Sequence, residues 1–280
     1  MPASTGRRHI LSVPDRYPPL PVYFALTFLV AWVLWYAATA IAGGVGGGAF
    51  LYLPGTFAPG IVALALTAYA EGMAGVRTLL APLLKWDVKA RWYLFALTYI
   101  AAIKLVAAVV HRAATGEWPQ FGDTPLYLML GATLVSTMIF GQSGEEVGWR
   151  GYALPRLAAR FGLGPASVVL GVIWAAWHLP HFFIPGSNLL GQSFPLYLMQ
   201  VTALSVAFAW LWRRTGGSLL LTMLLHAAVN NTKDIVPSGV AGATDPFALS
   251  TSTVGWLTVL VLWICAGYFL VRMRGENVPR

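Results

Sequence analysis

The sequence predicts an all-α fold, a polytopic membrane bundle of about eight transmembrane helices with both termini cytoplasmic. Three observations lead there. Hydrophobic residues make up 58% of the 280, charged residues only 10%, and mean hydropathy is +0.68, whereas a water-soluble domain carries about 25% charged side chains. Apolar runs of about 20 residues recur, each long enough to cross a hydrocarbon core. The cations alternate between the links in a regular way. Residues 1–280 therefore read as one integral membrane domain whose principal partner is the lipid bilayer, with residues 1–20 as a cytoplasmic tail and residues 125–236 as its chemically distinctive core.

In chain order the expected spans are Val22–Ala42, Leu53–Tyr69, Trp92–Val110, Leu126–Glu145, Pro165–Phe183, Pro195–Trp212, Ser218–Val236 and Val254–Val271. Arg7, Arg8 and Arg16 precede the first span, and the glycine-rich Gly43–Gly48 after it reads as a flexible loop. The second span is interrupted by Pro54 and Pro59 and is followed by Arg77, Lys85, Lys89 and Arg91. Arg150, Arg156 and Arg160 follow the fourth, Arg213 and Arg214 the sixth, and Arg272, Arg274 and Arg280 the eighth. The other links hold only Arg112 and Lys233, and Lys104 lies within the third span. Fifteen of the eighteen cations thus fall on one side, which the positive-inside rule makes cytoplasmic. The net charge of +8 reports membrane topology and implies no nucleic-acid partner. Arg7-Arg8 resembles a twin-arginine signal, but the apolar run is longer than a signal peptide's, so the segment is expected to stay as an anchor. The single Cys265 allows no internal disulfide and is expected to act as a small buried hydrophobe.

Ionisable groups inside such spans are expensive and call for a partner or a function. Three clusters stand out. In Gly144-Glu145-Glu146-Val147-Gly148-Trp149-Arg150, Glu146 and Arg150 are four apart and can pair on one helix face. Glu145 then lies about 100° around the helix, free to face a cavity. Adjacent carboxylates suit a general acid or base; charges reaching headgroups from a helix end are the plainer reading. In Trp174-Ala175-Ala176-Trp177-His178-Leu179-Pro180-His181, His178 lies 15 residues after Leu163 and Glu145 lies 18 before it. At a rise of about 1.5 Å per residue, an antiparallel hairpin brings the two to one depth, where they can hold and deprotonate a water. A hydrogen-bonded core histidine is the alternative, and His181 reads as an outer-rim or supporting residue. In the third cluster His226 and Asn230, four apart, can donate to an oxyanion or simply glue helices together; Asn231 projects elsewhere. Glu145, His178 and His226 could instead hold zinc with an open position for water, although no His-Glu-x-x-His helix is present.

Glu145-Glu146…Arg150, Trp174…His178 and His226…Asn230, in that order on three spans, resemble the CPBP family of CAAX-type prenyl endopeptidases and Abi-like self-immunity or bacteriocin-processing proteins. The resemblance covers roughly residues 125–236. It implies an intramembrane endopeptidase in which Glu145 and His178 activate the attacking water, His226 and Asn230 stabilise the oxyanion, and Glu146 and Arg150 form a supporting pair. The family was first classed with the metalloproteases, while its structural view favours glutamate-driven hydrolysis without a catalytic metal, so the cofactor is zinc or none. Trp174 stands where the family has phenylalanine, which keeps an aromatic wall and narrows the cavity.

Placing Glu145 at the inner end of its span predicts a cavity open to the cytoplasm, with the arginine-rich rim available to a substrate's terminal carboxylate. The expected partners are peptide or membrane-protein substrates. The rivals are a catalytically silent peptide-binding or bacteriocin-immunity membrane protein and a small-molecule or ion transporter; the latter lacks the inverted repeats that transporters favour. Arginine outnumbers lysine fourteen to four and Gly and Ala abound, as in a GC-rich bacterial genome, so the expected location is a bacterial inner membrane.

Overall fold

A chain with this little charge satisfies its backbone internally, and the helix does so within one segment. The computed structural model describes residues 20–139, 142–238 and 245–274; the expected tail at 1–19 and Arg280 lie outside them. Among the described residues there are helices and turns but no strand. The helices are α1 (Leu20–Ala42), α2 (Ala49–Thr56), α3 (Ala58–Leu80), α4 (Ala90–Thr115), α5 (Leu126–Ile139) and α6 (Gln142–Glu146). A π-helical turn, Val147–Ala153, leads into α7 (Leu154–Phe161), followed by α8 (Leu163–Trp177), α9 (Phe194–Arg214), α10 (Leu219–Thr232) and α11 (Thr253–Met273).

Five described helices are long and apolar enough to cross a bilayer, and a sixth crossing arises if the bent pair Leu126–Thr137 and Gln142–Phe161 counts as one. The molecule is an integral membrane protein with a polytopic helical bundle. Two further expected crossings, α8 and α10, have 15 and 14 residues, less than the roughly 20 that a hydrocarbon core needs. The expected second span is two helices, α2 and α3, parted at Phe57, with Pro59 in the first turn of α3. The fourth does not end at Glu145. It bends by 56° and runs on through the π turn and α7 to Phe161, which places Glu145 in mid-course. The fifth stops at Trp177, where Leu179–Phe182 winds into a 3₁₀ turn around Pro180.

The turns between α7 and α8 and between α9 and α10 need a left-handed backbone. Gly162 (φ 77°) supplies the first, and Gly216 and Gly217 (φ 63° and 91°) the second, a conformation that glycine adopts without a Cβ penalty. Ser218 then caps α10 by accepting from the Leu221 amide at 3.3 Å. Lys85 Nζ donates to the Gly216 carbonyl at 2.7 Å, and Ser218 Oγ donates to the Lys85 carbonyl at 2.6 Å. The turn after α3 and the turn after α9 therefore share one end of the bundle, as the cation pattern expects.

Helix α9 is the axis of the bundle, with every residue from Val201 to Leu211 buried. Helices α8 and α11 pack on it, while α10 lies between α4 and α5. Close approach depends on small residues: a Cβ on Gly171 of α8 would stand 2.7 Å from Thr202 Cα of α9. Without a hydrophobic driving force between helices in lipid, such tight backbone contact is what holds them. Cys265 in α11 is a half-buried free thiol.

Candidate active site

Gly144 and Gly148, four residues apart, flank the two carboxylates and let α3 press against them. A Cβ on Gly60 of α3 would stand 2.6 Å from the Gly144 carbonyl oxygen, and one on Gly144 would stand 2.9 Å from Phe57 Cγ. The chain then winds into the π turn, an irregularity frequent at functional sites.

Glu146 and Arg150 are both fully buried, and Arg150 Nη1 donates to Glu146 Oε1 at 2.8 Å, the pairing expected from their spacing. The cation pattern places Arg150 with the rim, but it lies in the interior. Its guanidinium sits 4.1 Å from the Trp174 ring centroid and 4.2 Å from that of Phe208. Aromatic faces attract a cation where water cannot reach it. The same Glu146 Oε1 accepts from His226 Nδ1 at 3.0 Å, so α10 is tied to α6 through one carboxylate oxygen.

Glu145, 5% exposed, takes a different partner. Its Oε2 accepts from the Trp174 indole Nε1 at 2.7 Å. Trp174 also supplies its backbone carbonyl to His178 Nδ1 at 2.9 Å. A carbonyl only accepts, so Nδ1 carries the proton and Nε2 keeps its lone pair. Glu145 and His178 thus share no direct hydrogen bond, and Trp174 bridges them. The His226 ring stands edge-on to Trp174 at 5.3 Å and to Phe208 at 5.8 Å. Asn230, one turn further along α10, is exposed. Asn231 donates to Ser136 Oγ at 3.0 Å and to the Ala227 carbonyl at 2.8 Å, a tie between α5 and α10.

The structure therefore brings Glu145, Glu146, Arg150, His178 and His226 around one indole, with Asn230 at the margin. Several neighbours escaped the sequence reading. Tyr197 of α9 stacks edge-on to His178 at 5.5 Å, and Tyr52 of α2 meets His181 Nδ1 at 2.5 Å. His181 is buried against Trp35, at 4.2 Å between ring centroids, instead of lying on a rim. Nothing in a single tyrosine announces such contacts. Gly144-x-x-x-Gly148 did carry a signal, since small residues at that spacing mark a close helix partner.

As a zinc site the expected donor set fits poorly. The indole takes Glu145 Oε2 and Glu146 takes His226 Nδ1, which leaves Glu145 Oε1 and the Nε2 atoms of His178 and His226. Among the described residues no three His, Cys, Asp or Glu side chains converge as ligands.

Around the site Tyr23, Trp149, Tyr152, Leu219 and Leu225 are at 0% exposure, while His178 and Tyr197 are partly exposed and Asn230 is exposed.

The profile of the type II CAAX prenyl endopeptidase Rce1-like family matches residues 20–232. The chain belongs to the Rce1-like family. The resemblance read from the ordered motifs is borne out, and every candidate site residue lies within the matched region. The chain is also 24% identical over 242 residues to CAAX prenyl protease 2 of Methanococcus maripaludis, across 79% of this chain and 86% of that protein. Membership in the Rce1-like family supports intramembrane endopeptidase activity as the general class, with peptide or membrane-associated substrates.

Proposed function

We propose that the protein is an intramembrane endopeptidase in which Glu145 is the general base. The observation that carries this reading is the convergence of Glu145, Arg150, His178 and His226 on Trp174, with Glu146 joined to Arg150 and His226, in an otherwise apolar interior inside the region matched by the Rce1-like family. Buried ionisable groups in a membrane bundle are costly, and a reaction accounts for their being kept.

Each group has a task that follows from its contacts. With Oε2 fixed by the indole, Glu145 offers Oε1 to a water, and His178 offers the lone pair of Nε2 to the same molecule. The water oxygen attacks the peptide carbonyl carbon as its proton passes to Glu145. The resulting oxyanion accepts from the Asn230 carboxamide, and from His226 when that ring carries both protons, with Nδ1–H given to Glu146 and Nε2–H to the oxyanion. Collapse breaks the C–N bond, Glu145 returns the proton to the departing amine, and a carboxylic acid and an amine leave. Arg150 holds Glu146 in place.

The test is cleavage of a panel of peptides, prenylated and unprenylated, by protein purified in detergent, with and without chelator. Endoproteolysis that persists with chelator supports the reading; a purified, folded protein that cuts no member of the panel contradicts it. The indole offers a finer check. Trp174→Phe keeps the ring beside Arg150 and His226 but removes the donor to Glu145, a hydrogen bond to a charged group that contributes about 1.5–3 kcal/mol. Cleavage is expected to survive with kcat lowered roughly tenfold or more and KM little changed. An unaltered kcat would mean that the indole does not position the base.

A further inference from the structure

His178 stands at an insecure point of the chain. It is the C-terminal cap of α8, the last residue before the 3₁₀ turn Leu179–Phe182. Helical hydrogen bonding gives out at such a cap, and the bonds of a 3₁₀ turn have poorer geometry. The bond from His178 Nδ1 to the Trp174 carbonyl reaches only one turn back along the same helix. That bond orients the ring relative to α8 and leaves the place of the helix end to other contacts.

Helices α1 and α2 supply those contacts, on both sides of His178 in the chain. Just before it, the Trp177 carbonyl accepts from Trp32 Nε1 at 2.9 Å. Three residues after it, His181 Nδ1 bonds to the Tyr52 hydroxyl at 2.5 Å, while the His181 amide donates to the His178 carbonyl at 3.0 Å. Tyr52 is itself held, since its carbonyl accepts from Trp35 Nε1 at 3.1 Å. Gly55 permits that approach: a Cβ there would stand 2.6 Å from the indole nitrogen. The Trp35 ring packs on Trp177 and His181, at 4.7 and 4.2 Å between centroids, and the His181 ring lies 5.6 Å from that of His178.

Packing alone does not account for an imidazole at position 181. The residue is 7% exposed, and its Nε2 is buried with no partner among the described residues, a cost that a leucine there would avoid. What the imidazole offers is the Nδ1 bond. Resting on the proteolytic reading for the reaction and on geometry for the tie, we propose that Tyr52 and His181 are positioning residues for hydrolysis. Their hydrogen bond joins the turn that follows His178 to α2 and so sets where the His178 imidazole stands. A group that must meet a water and a peptide carbonyl is effective only when neighbouring side chains lock it within about 0.5 Å of its productive place.

Tyr52→Phe and His181→Leu each remove the bond while keeping an apolar body in its place. Each is expected to lower kcat roughly three- to tenfold, the weight of one hydrogen bond, with KM little changed. The two combined should be no slower than the slower single variant, because both delete the same tie. His181→Asn, whose carboxamide meets the hydroxyl near the place of Nδ1, is expected to restore most of the loss. A His178→Ala background separates positioning from general support: there Tyr52→Phe has no further effect, since the tie acts through an imidazole that is gone. A loss of equal size in that background, or the parent kcat in Tyr52→Phe, overturns the inference. Nitrogen-15 spectra of histidine-labelled protein read the tie without turnover. Tyr52→Phe is expected to move the ring resonances of both His181 and His178 and to leave that of His111 on α4 in place; a shift confined to His181 overturns the inference. If the two resonances move together but the parent protein cuts no peptide, the positioning stands and the proteolytic reading fails.

Discussion

Replacing Glu145 by Gln is expected to lower kcat by about 10²–10⁴, the usual contribution of a positioned general base, while leaving the bundle folded. The amide is nearly isosteric and its carbonyl oxygen can still accept from the Trp174 indole, so the packing around residue 145 survives. What disappears is the capacity to take a proton from water. The measurement is single-turnover cleavage alongside thermal unfolding in detergent. A variant with full activity would remove Glu145 from the mechanism, and a variant that unfolds would make the carboxylate structural. The conservative change separates these outcomes because a catalytic carboxylate predicts a stable, slow variant and a structural one predicts unfolding.

The second large effect falls on stability. Arg150→Met deletes the guanidinium that pairs with Glu146 at 2.8 Å, where both side chains have 0% exposure. Removing one member of a buried pair leaves a stranded charge and costs about 3–5 kcal/mol. The contacts with the Trp174 and Phe208 rings are lost too. The double variant Glu146→Gln/Arg150→Met strands no charge and is expected to recover much of that loss in denaturant unfolding. A single variant no less stable than the double would show that the pair contributes little. Activity should fall in both, because His226 Nδ1 loses its carboxylate partner in the double variant and keeps one no longer anchored by Arg150 in the single.

The helical class and the membrane setting were legible from hydropathy and charge placement, since both depend on composition over windows of about 20 residues. Helix ends were less legible. Glu145 looked terminal because Arg150 follows so closely, and a buried arginine cannot be told from a rim arginine by its position alone. The aromatic faces that shelter it come from α8 and α9, which no local window sees. The same holds for the course of the chain past Glu145: α7 continues beyond the π turn to Phe161, and π turns leave no clear mark in a sequence.

The candidate site was legible as a set of residues and less so as a network. Spacing four apart gave Glu146 with Arg150 correctly. The hairpin estimate placed Glu145 and His178 at one depth, and the structure joins both to Trp174. It did not foresee that an indole would mediate between them, because a tryptophan in an apolar run reads as wall. Likewise His226 shares a helix face with Asn230 in the sequence pattern, yet its hydrogen bond goes to Glu146 across eighty positions of chain. Long-range partners of this kind are set by the fold, not by local spacing.

The most direct test of whether Glu145 and His178 serve one water is a double-variant cycle on kcat/KM, with Glu145→Gln, His178→Ala and their combination assayed on one peptide. Groups that act as a unit on one reacting molecule give strongly non-additive losses. If the two side chains share that water, the combined variant is about as slow as the slower single variant, with thermal stability near that of the parent. Losses that multiply would contradict it, since they would place the carboxylate and the imidazole in independent roles.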